Sequence, residues 1–143
     1  MSVRGDITDW VAARLKSQIT YLTDVFAVGS PTEFELLSNN VPIAAVFIDR
    51  DSRAGIEQSL GDKVFTQFAV QVMFAAARFR WDLGSGVTDQ RGVYEIFDAI
   101  HTALEGQVPT GCAQPLTYQE GGITGVEDGL VIAFVEYQTA QLI

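Results

Sequence analysis

The stretch from residue 63 to residue 81, KVFTQFAVQVMFAAARFRW, constrains the fold more than any other part of the sequence. Between residues 64 and 76 the side chains alternate with a period of two, which is the spacing of a β-strand. One face of this strand is almost entirely apolar, whereas the other mixes glutamine with alanine and methionine. The run exceeds an average strand of about 5–6 residues. We therefore expect a long strand that is able to reach beyond its own domain to a neighbouring molecule.

Further strands are predicted before and after this run. The apolar segment IAAVFID at 43–49 is typical of a strand that is buried on both faces. The polar, glycine-containing segment 50–62 that follows it has the composition of a surface loop. Shorter strand candidates, separated by turn residues such as the glycines and EDG near 121–129, occupy 24–28, 32–37, 116–120 and 130–140.

Two segments have the apolar spacing of amphipathic helices. The first covers 6–22, and the second covers 88–105 with apolar residues at i, i+3, i+4 and i+7 from Val93 onward. Thr88 or Asp89 is expected to cap the second helix, and Gly106 is expected to end it.

The 143 residues fit a single domain covering 1–143. The predicted order of elements is α-β-β-β-β-α-β-β, in which strands outnumber helices and most neighbouring strands have short connections. This order predicts an α+β fold, with a mainly antiparallel sheet packed against two helices.

The glycine-rich stretch LGSGVTDQRG at 83–92 invites comparison with phosphate-binding loops. A dinucleotide fingerprint needs a third glycine where Asp89 stands, and a P-loop needs a lysine that this stretch lacks. Asp82 and Asp89 would also repel a phosphate. The stretch is therefore interpreted as a turn that leads into a helix, and no nucleotide cofactor is expected.

Metal and thiol chemistry have little support in the sequence. Cys112 is the single cysteine, so an intramolecular disulfide is excluded. The single histidine, His101, has Asp98 and Glu105 at helical spacing, but the usual zinc spacing is absent. We interpret these three residues as part of a solvated helix face and expect no metal site.

Catalytic groups are equally sparse. The serine hydrolase elbow G-x-S-x-G does not occur. Carboxylate pairs such as Asp49/Asp51 and Glu127/Asp128 leave a small carboxylate-dependent hydrolase or ligand-binding domain as an alternative. The preferred expectation is a protein without a catalytic site.

The net charge of the chain disfavours some classes of binding partner. Eighteen acidic residues against nine basic ones give a net charge of −9, which disfavours tight binding to nucleic acid or to anionic membranes. No signal peptide and no apolar run of about 20 residues are evident, so we expect a cytoplasmic protein without a membrane span. A mean hydropathy of +0.18 is high for so acidic a chain, and it indicates either a large core or surface covered by other subunits.

Two clusters of arginine and aspartate follow the ends of strong predicted strands. The segment DRDSR lies at 49–53 and RFRWD at 78–82, and together they hold four of the seven arginines. Arginine, tryptophan and aspartate in such clusters suit a charge-complementary protein interface, although an ordinary solvated strand end is an equal alternative. The candidate interface residues are Arg50, Asp51, Arg53, Arg78, Arg80, Trp81 and Asp82.

The order of these features resembles the tail terminator proteins of long-tailed bacteriophages, in particular the Mu-like terminator family. The resemblance covers nearly the whole chain. It is carried by DITDWVAARLKSQI, VPIAAVFI, FTQFAVQVMFAAARFR, GVYEIFDAIHTALEG and the closing pair PLTYQE and GLVIAFVEYQ.

The resemblance implies a subunit of a ring, typically a hexamer, at the head-proximal end of the tail tube. Such a ring ends tube polymerisation, joins the tail to neck or head-completion proteins, and in contractile phages also contacts the sheath. It is assembled in the host cytoplasm and resides in the tail or neck of the virion, and DNA passes its lumen without specific binding. Head–tail connector and tail completion proteins of similar size remain alternatives, and no catalytic residues or cofactors are implied.

Overall fold

The computed structural model describes residues 3–28, 42–53, 65–76, 92–127 and 130–142. The elements in chain order are α1 Val3–Gln18, β1 Asp24–Ala27, β2 Ile43–Arg53, β3 Phe65–Ala76, α2 Val93–Leu104, β4 Thr117–Glu127 and β5 Leu130–Leu142.

The five strands form one sheet in the order β1-β2-β3-β5-β4. β1 runs parallel to β2, and every other neighbouring pair is antiparallel. The long strand β3 lies in the centre, and both helices pack on the same face of the sheet. The predicted α+β class is therefore confirmed. The strand predicted at 32–37 lies outside the described residues.

Alternation along β2 and β3 divides their side chains between two cores. Ala44 and Val46 belong to the core beneath the helices, whereas Ile43, Ala45 and Phe47 belong to a smaller core on the other face. All five side chains are at most 2% exposed. The prediction that this apolar run is buried on both faces is confirmed.

The helix boundaries differ from the predictions. α1 begins at Val3 and ends at Gln18, short of the predicted residue 22. A turn follows, with the backbone of Leu22 bonded to the carbonyl of Ile19 at 3.4 Å, yet both side chains stay buried in the core. The apolar spacing of this segment therefore predicted which side chains are buried, but it predicted too long a helix.

The second helix, α2, begins at Val93 and not near residue 88. Gly92 is its N-cap, in an extended conformation (φ −82°, ψ 173°) and without a side-chain cap, so the expected cap by Thr88 or Asp89 is wrong. The first helical hydrogen bond is donated by Ile96 to the carbonyl of Gly92. The predicted stop is confirmed, because Gly106 adopts φ +79° just after the helix.

Two strands run further than their sequences predicted. Residues 50–53, expected to open a loop, continue β2 and pair with β3, while 54–62 lie outside the described residues. Residues 121–127, expected to form turns, belong to β4 and pair with β5. Ladder hydrogen bonds to a long neighbouring strand outweigh the weak strand propensity of glycine and charged residues.

Candidate functional site

We call the side of the sheet that α1 and α2 cover the helix face, and the opposite side the second face. The second face has an apolar half, in which every side chain named here is buried: Ile43, Ala45, Phe47, Met73, Ala75 and Ile132. Toward the other end of the same strands its character changes. This polar half forms a small cleft of about 100 Å³, lined by Arg50, Gln67, Ala69, Gln119, Glu136 and Gln138.

A β-bulge in β2 places Arg50 on this face. Ile48 pairs with Val70 and Arg50 pairs with Ala69, so Asp49 is an extra residue in the ladder. Side chains alternate between faces, and an unbulged register would pair Arg50 with Phe68 on the helix face. Because of the bulge, the side chain of Arg50 lies in the cleft on the second face.

Arg50 forms a bidentate ion pair with Glu136. Its Nη1 and Nη2 atoms donate to Oε1 and Oε2 of Glu136 at 3.3 and 3.0 Å, and Nη1 also donates to Oδ2 of Asp49 at 2.7 Å. The Glu136 side chain is 2% exposed, whereas that of Arg50 is 64% exposed. A buried carboxylate requires such a partner, because an unpaired buried charge is costly. The pair joins β2 to β5 across β3.

Negatively charged side chains outnumber positively charged ones around Glu136. Burial is the main cause that raises the pKa of Glu136 above its ordinary value, and the nearby charges of Asp49 and Glu120 raise it further. Arg50 opposes this shift, and its own pKa is raised by Glu136. Three carboxylates therefore act around a single guanidinium.

The structure places only part of the predicted interface. Arg50 lies in the cleft, while Asp51 and Arg53 continue β2 opposite Phe68 and Thr66. The remaining candidates, Arg78, Arg80, Trp81 and Asp82, lie outside the described residues.

Sequence reasoning missed Glu136, the most buried charged group among the described residues. Its signal was present, because it is the single charged residue in the apolar run LVIAFVEY. Its partner could not be read from the sequence, since Arg50 is 86 residues away.

The histidine and its helical neighbours have structural contacts. His101 Nδ1 lies 3.2 Å from the buried hydroxyl of Tyr137, and burial raises the pKa of Tyr137. The Glu105 carboxylate accepts a hydrogen bond of 2.9 Å from the backbone N–H of Tyr118. Within the described ranges, no three histidine, cysteine or acidic side chains are grouped so that they could hold a metal ion. Burial also raises the pKa of Cys112, which disfavours its reactive thiolate form.

A larger cleft of about 420 Å³ lies between the start of α1 and the bulge in β2. Its described lining is Arg4, Gly5, Thr8, Val28, Ile48, Asp49 and Arg50. Its volume falls within the range of about 300–1,000 Å³ that is usual for small-molecule sites. Arg50 thus borders both clefts, and Asp49 borders the larger one.

In the part of the chain that the structure describes, no helix is long and apolar enough to cross a membrane.

Comparison with known proteins gives one informative result. No known family matches the sequence, and no curated protein matches it. Among solved structures, the fold is similar to that of a chain in the virion of a native gene transfer agent particle, with a TM-score of 0.54 and 15% sequence identity. The similarity covers 99% of this chain and 98% of that one. The two chains share a fold. At 15% identity the match shows the fold alone.

Proposed function

We propose that this protein is a structural component of a phage-like virion and that it works by assembly alone. The observation that carries the proposal is the end-to-end fold similarity to a chain of a gene transfer agent virion. The sequence resemblance to tail terminators points independently to the same class of particle. Two kinds of likeness, one in pattern and one in fold, therefore support the same function.

Within that class we propose the role of a tail terminator, a ring at the head-proximal end of the tail tube. One face of the ring would reproduce the contacts that a tube subunit makes, and the other face would lack them, so that stacking ends. That other face of the ring would offer a surface to neck or head-completion proteins. Arg50, Asp51, Arg53, Arg78, Arg80, Trp81 and Asp82 are the proposed contact residues.

The net charge of −9 supports a lumen through which DNA moves without adhering. Carboxylates repel phosphates, and the repulsion lowers the affinity for the passing duplex irrespective of its sequence. High mean hydropathy also suits a subunit that buries surface against two neighbours.

Mass and particle shape in solution test the proposal. The purified protein is expected to have a mass several times that of the 15.6 kDa chain and to appear as rings in negative stain. When added to polymerising tail tubes, it should cap one end of each tube and hold the tubes at constant length. A protein that stays monomeric at high concentration and leaves tube length unchanged would contradict the proposal.

The same preparation separates the alternatives. A ring that binds isolated heads and ignores tube ends would identify a head–tail connector or a tail completion protein. A ligand-binding domain is favoured by one observation, the cleft of about 420 Å³ beside the start of α1. That alternative predicts a compact monomer whose melting temperature rises with a small molecule.

A further inference from the structure

We propose that the polar half of the second face is the docking surface for arginine side chains of a neighbouring copy of this chain. This inference rests on the proposed ring and names one of its contact surfaces. The surface consists of the residues that line the small cleft, together with Asp49, which accepts a hydrogen bond from Arg50, and Glu120, which pairs with Glu136 in the ladder.

The first argument is a like-charge pair across two strands. Glu120 of β4 pairs directly with Glu136 of β5 in the antiparallel ladder. Like charges directly opposite each other destabilise a sheet, because their carboxylates are held close together. Asp49 adds a third negative charge, and Arg50 is the cation that the described residues place among the three. A further cation would relieve this repulsion.

The second argument is the size and chemistry of the cleft. A volume of about 100 Å³ is well below the range of about 300–1,000 Å³ for small-molecule sites. It suits the end group of one side chain. Glutamine side chains at positions 67, 119 and 138 line the cleft together with Glu136. The amide oxygen of a glutamine is a hydrogen-bond acceptor. A guanidinium, with five donors in a planar fork, matches such a set of acceptors better than an ammonium does.

The third argument concerns where the arginines come from. Basic residues are scarce in this chain, and several of them already have partners within the molecule. Arg14 donates to the carbonyl of Ala103 at the end of α2, and Lys16 pairs with Asp24. Arg78 and Arg80 stand two positions apart in RFRWD, the segment that the sequence predicts as an interface. An acidic surface and an arginine segment on every copy make a head-to-tail contact, which is the kind of contact that closes a ring.

Charge reversal at Glu120 tests the inference. Glu120→Lys alters an exposed side chain and is expected to weaken ring formation at least tenfold at physiological salt, because the neighbour's arginines would then meet a cation. Asp98→Lys, an equal change at an exposed position on α2, is the matched control and should form rings as the wild type does. Equal melting temperatures for the two variants would show that both are folded.

A charge swap provides the decisive measurement. Arg78→Glu with Arg80→Glu should prevent rings in the same way as Glu120→Lys, and combining all three changes in one chain should restore them. If Glu120→Lys and the wild type form rings equally well at every salt concentration, the docking surface is wrong although the ring remains. If the wild type itself forms no ring, the proposed function fails together with this inference.

Discussion

The two faces of the sheet are built from the same strands and differ in what they bury. On the helix face, β3 contributes Phe68, Val70, Val72, Phe74 and Ala76, all of which are buried. On the second face it contributes Gln67, Ala69, Gln71, Met73 and Ala75. The helix face is a continuous core, whereas the second face changes from an apolar half to a polar half with an ion pair. One strand thus packs a continuous core on one side and borders the proposed docking surface on the other.

This contrast indicates which side of the sheet has room for a contact surface. Side chains on the helix face are fixed by α1 and α2, so a polar residue there would be buried without water. On the second face, the polar half remains accessible while the apolar half holds the strands in place. We expect substitutions on the two faces to separate into effects on stability and effects on assembly.

The largest effect on stability is expected for Phe74→Ala. The ring of Phe74 is fully buried and lies edge-on to Phe97 of α2, with 4.7 Å between the ring centroids. Loss of this ring should lower the free energy of unfolding by about 3–5 kcal/mol, measured by urea denaturation. Gln71→Ala, three residues earlier on the second face, should change it by less than about 0.5 kcal/mol. Comparable losses from both changes would remove the distinction between the faces.

A smaller effect is expected where the helix face reaches the edge strand. A methyl group on Gly121 would lie 3.1 Å from the carbonyl oxygen of Phe134 and 3.2 Å from the ring of Phe97. Gly121→Ala should therefore cost about 1–3 kcal/mol of stability through overpacking. Gly125→Ala is the control in the same strand, because nothing lies within 4 Å of its added methyl group. If thermal melts show that both substitutions lower the melting temperature equally, the loss at Gly121 is not caused by overpacking.

The smallest expected effect is a pH dependence of stability that arises from Glu136 on the second face. Burial raises the pKa of Glu136 above 4.5, so the folded chain binds this proton more tightly than the unfolded chain does. The charged form of Glu136 therefore opposes folding at pH values above its folded pKa. This cost disappears as the pH falls toward 4.5. Glu136→Gln should gain stability relative to the wild type as the pH rises through that window.

The difference between the two proteins is the quantity to measure, by urea denaturation at several pH values. Asp24 acts in the opposite direction, since the backbone N–H of Val25 and then Lys16 lower its pKa, but it is present in both proteins and cancels. Lost hydrogen bonds to Arg50 shift the difference by a constant amount. A difference that is independent of pH would contradict the burial argument for Glu136.

Much of the fold could be predicted because its main signals are local. Alternation in 64–76 predicted the central strand, and the apolar run at 43–49 predicted a strand buried on both faces. Gly106 adopts a positive φ directly after α2, where the end of the helix was predicted. The errors occurred at boundaries, where pairing with a neighbour extended β2 and β4 through residues with weak strand propensity. Pairing of that kind has no local signal.

The amino-acid sequence alone determined the class of fold, the burial pattern of β2 and β3 and the acidic net charge, because these follow from the periodicity of short segments and from composition. Only the tertiary structure decided which charged residues meet. A single bulge at Asp49 turned Arg50 to the second face, and the antiparallel ladder set Glu120 opposite Glu136. Strand register brings together residues that are far apart in the chain, so this surface exists only once the sheet has formed.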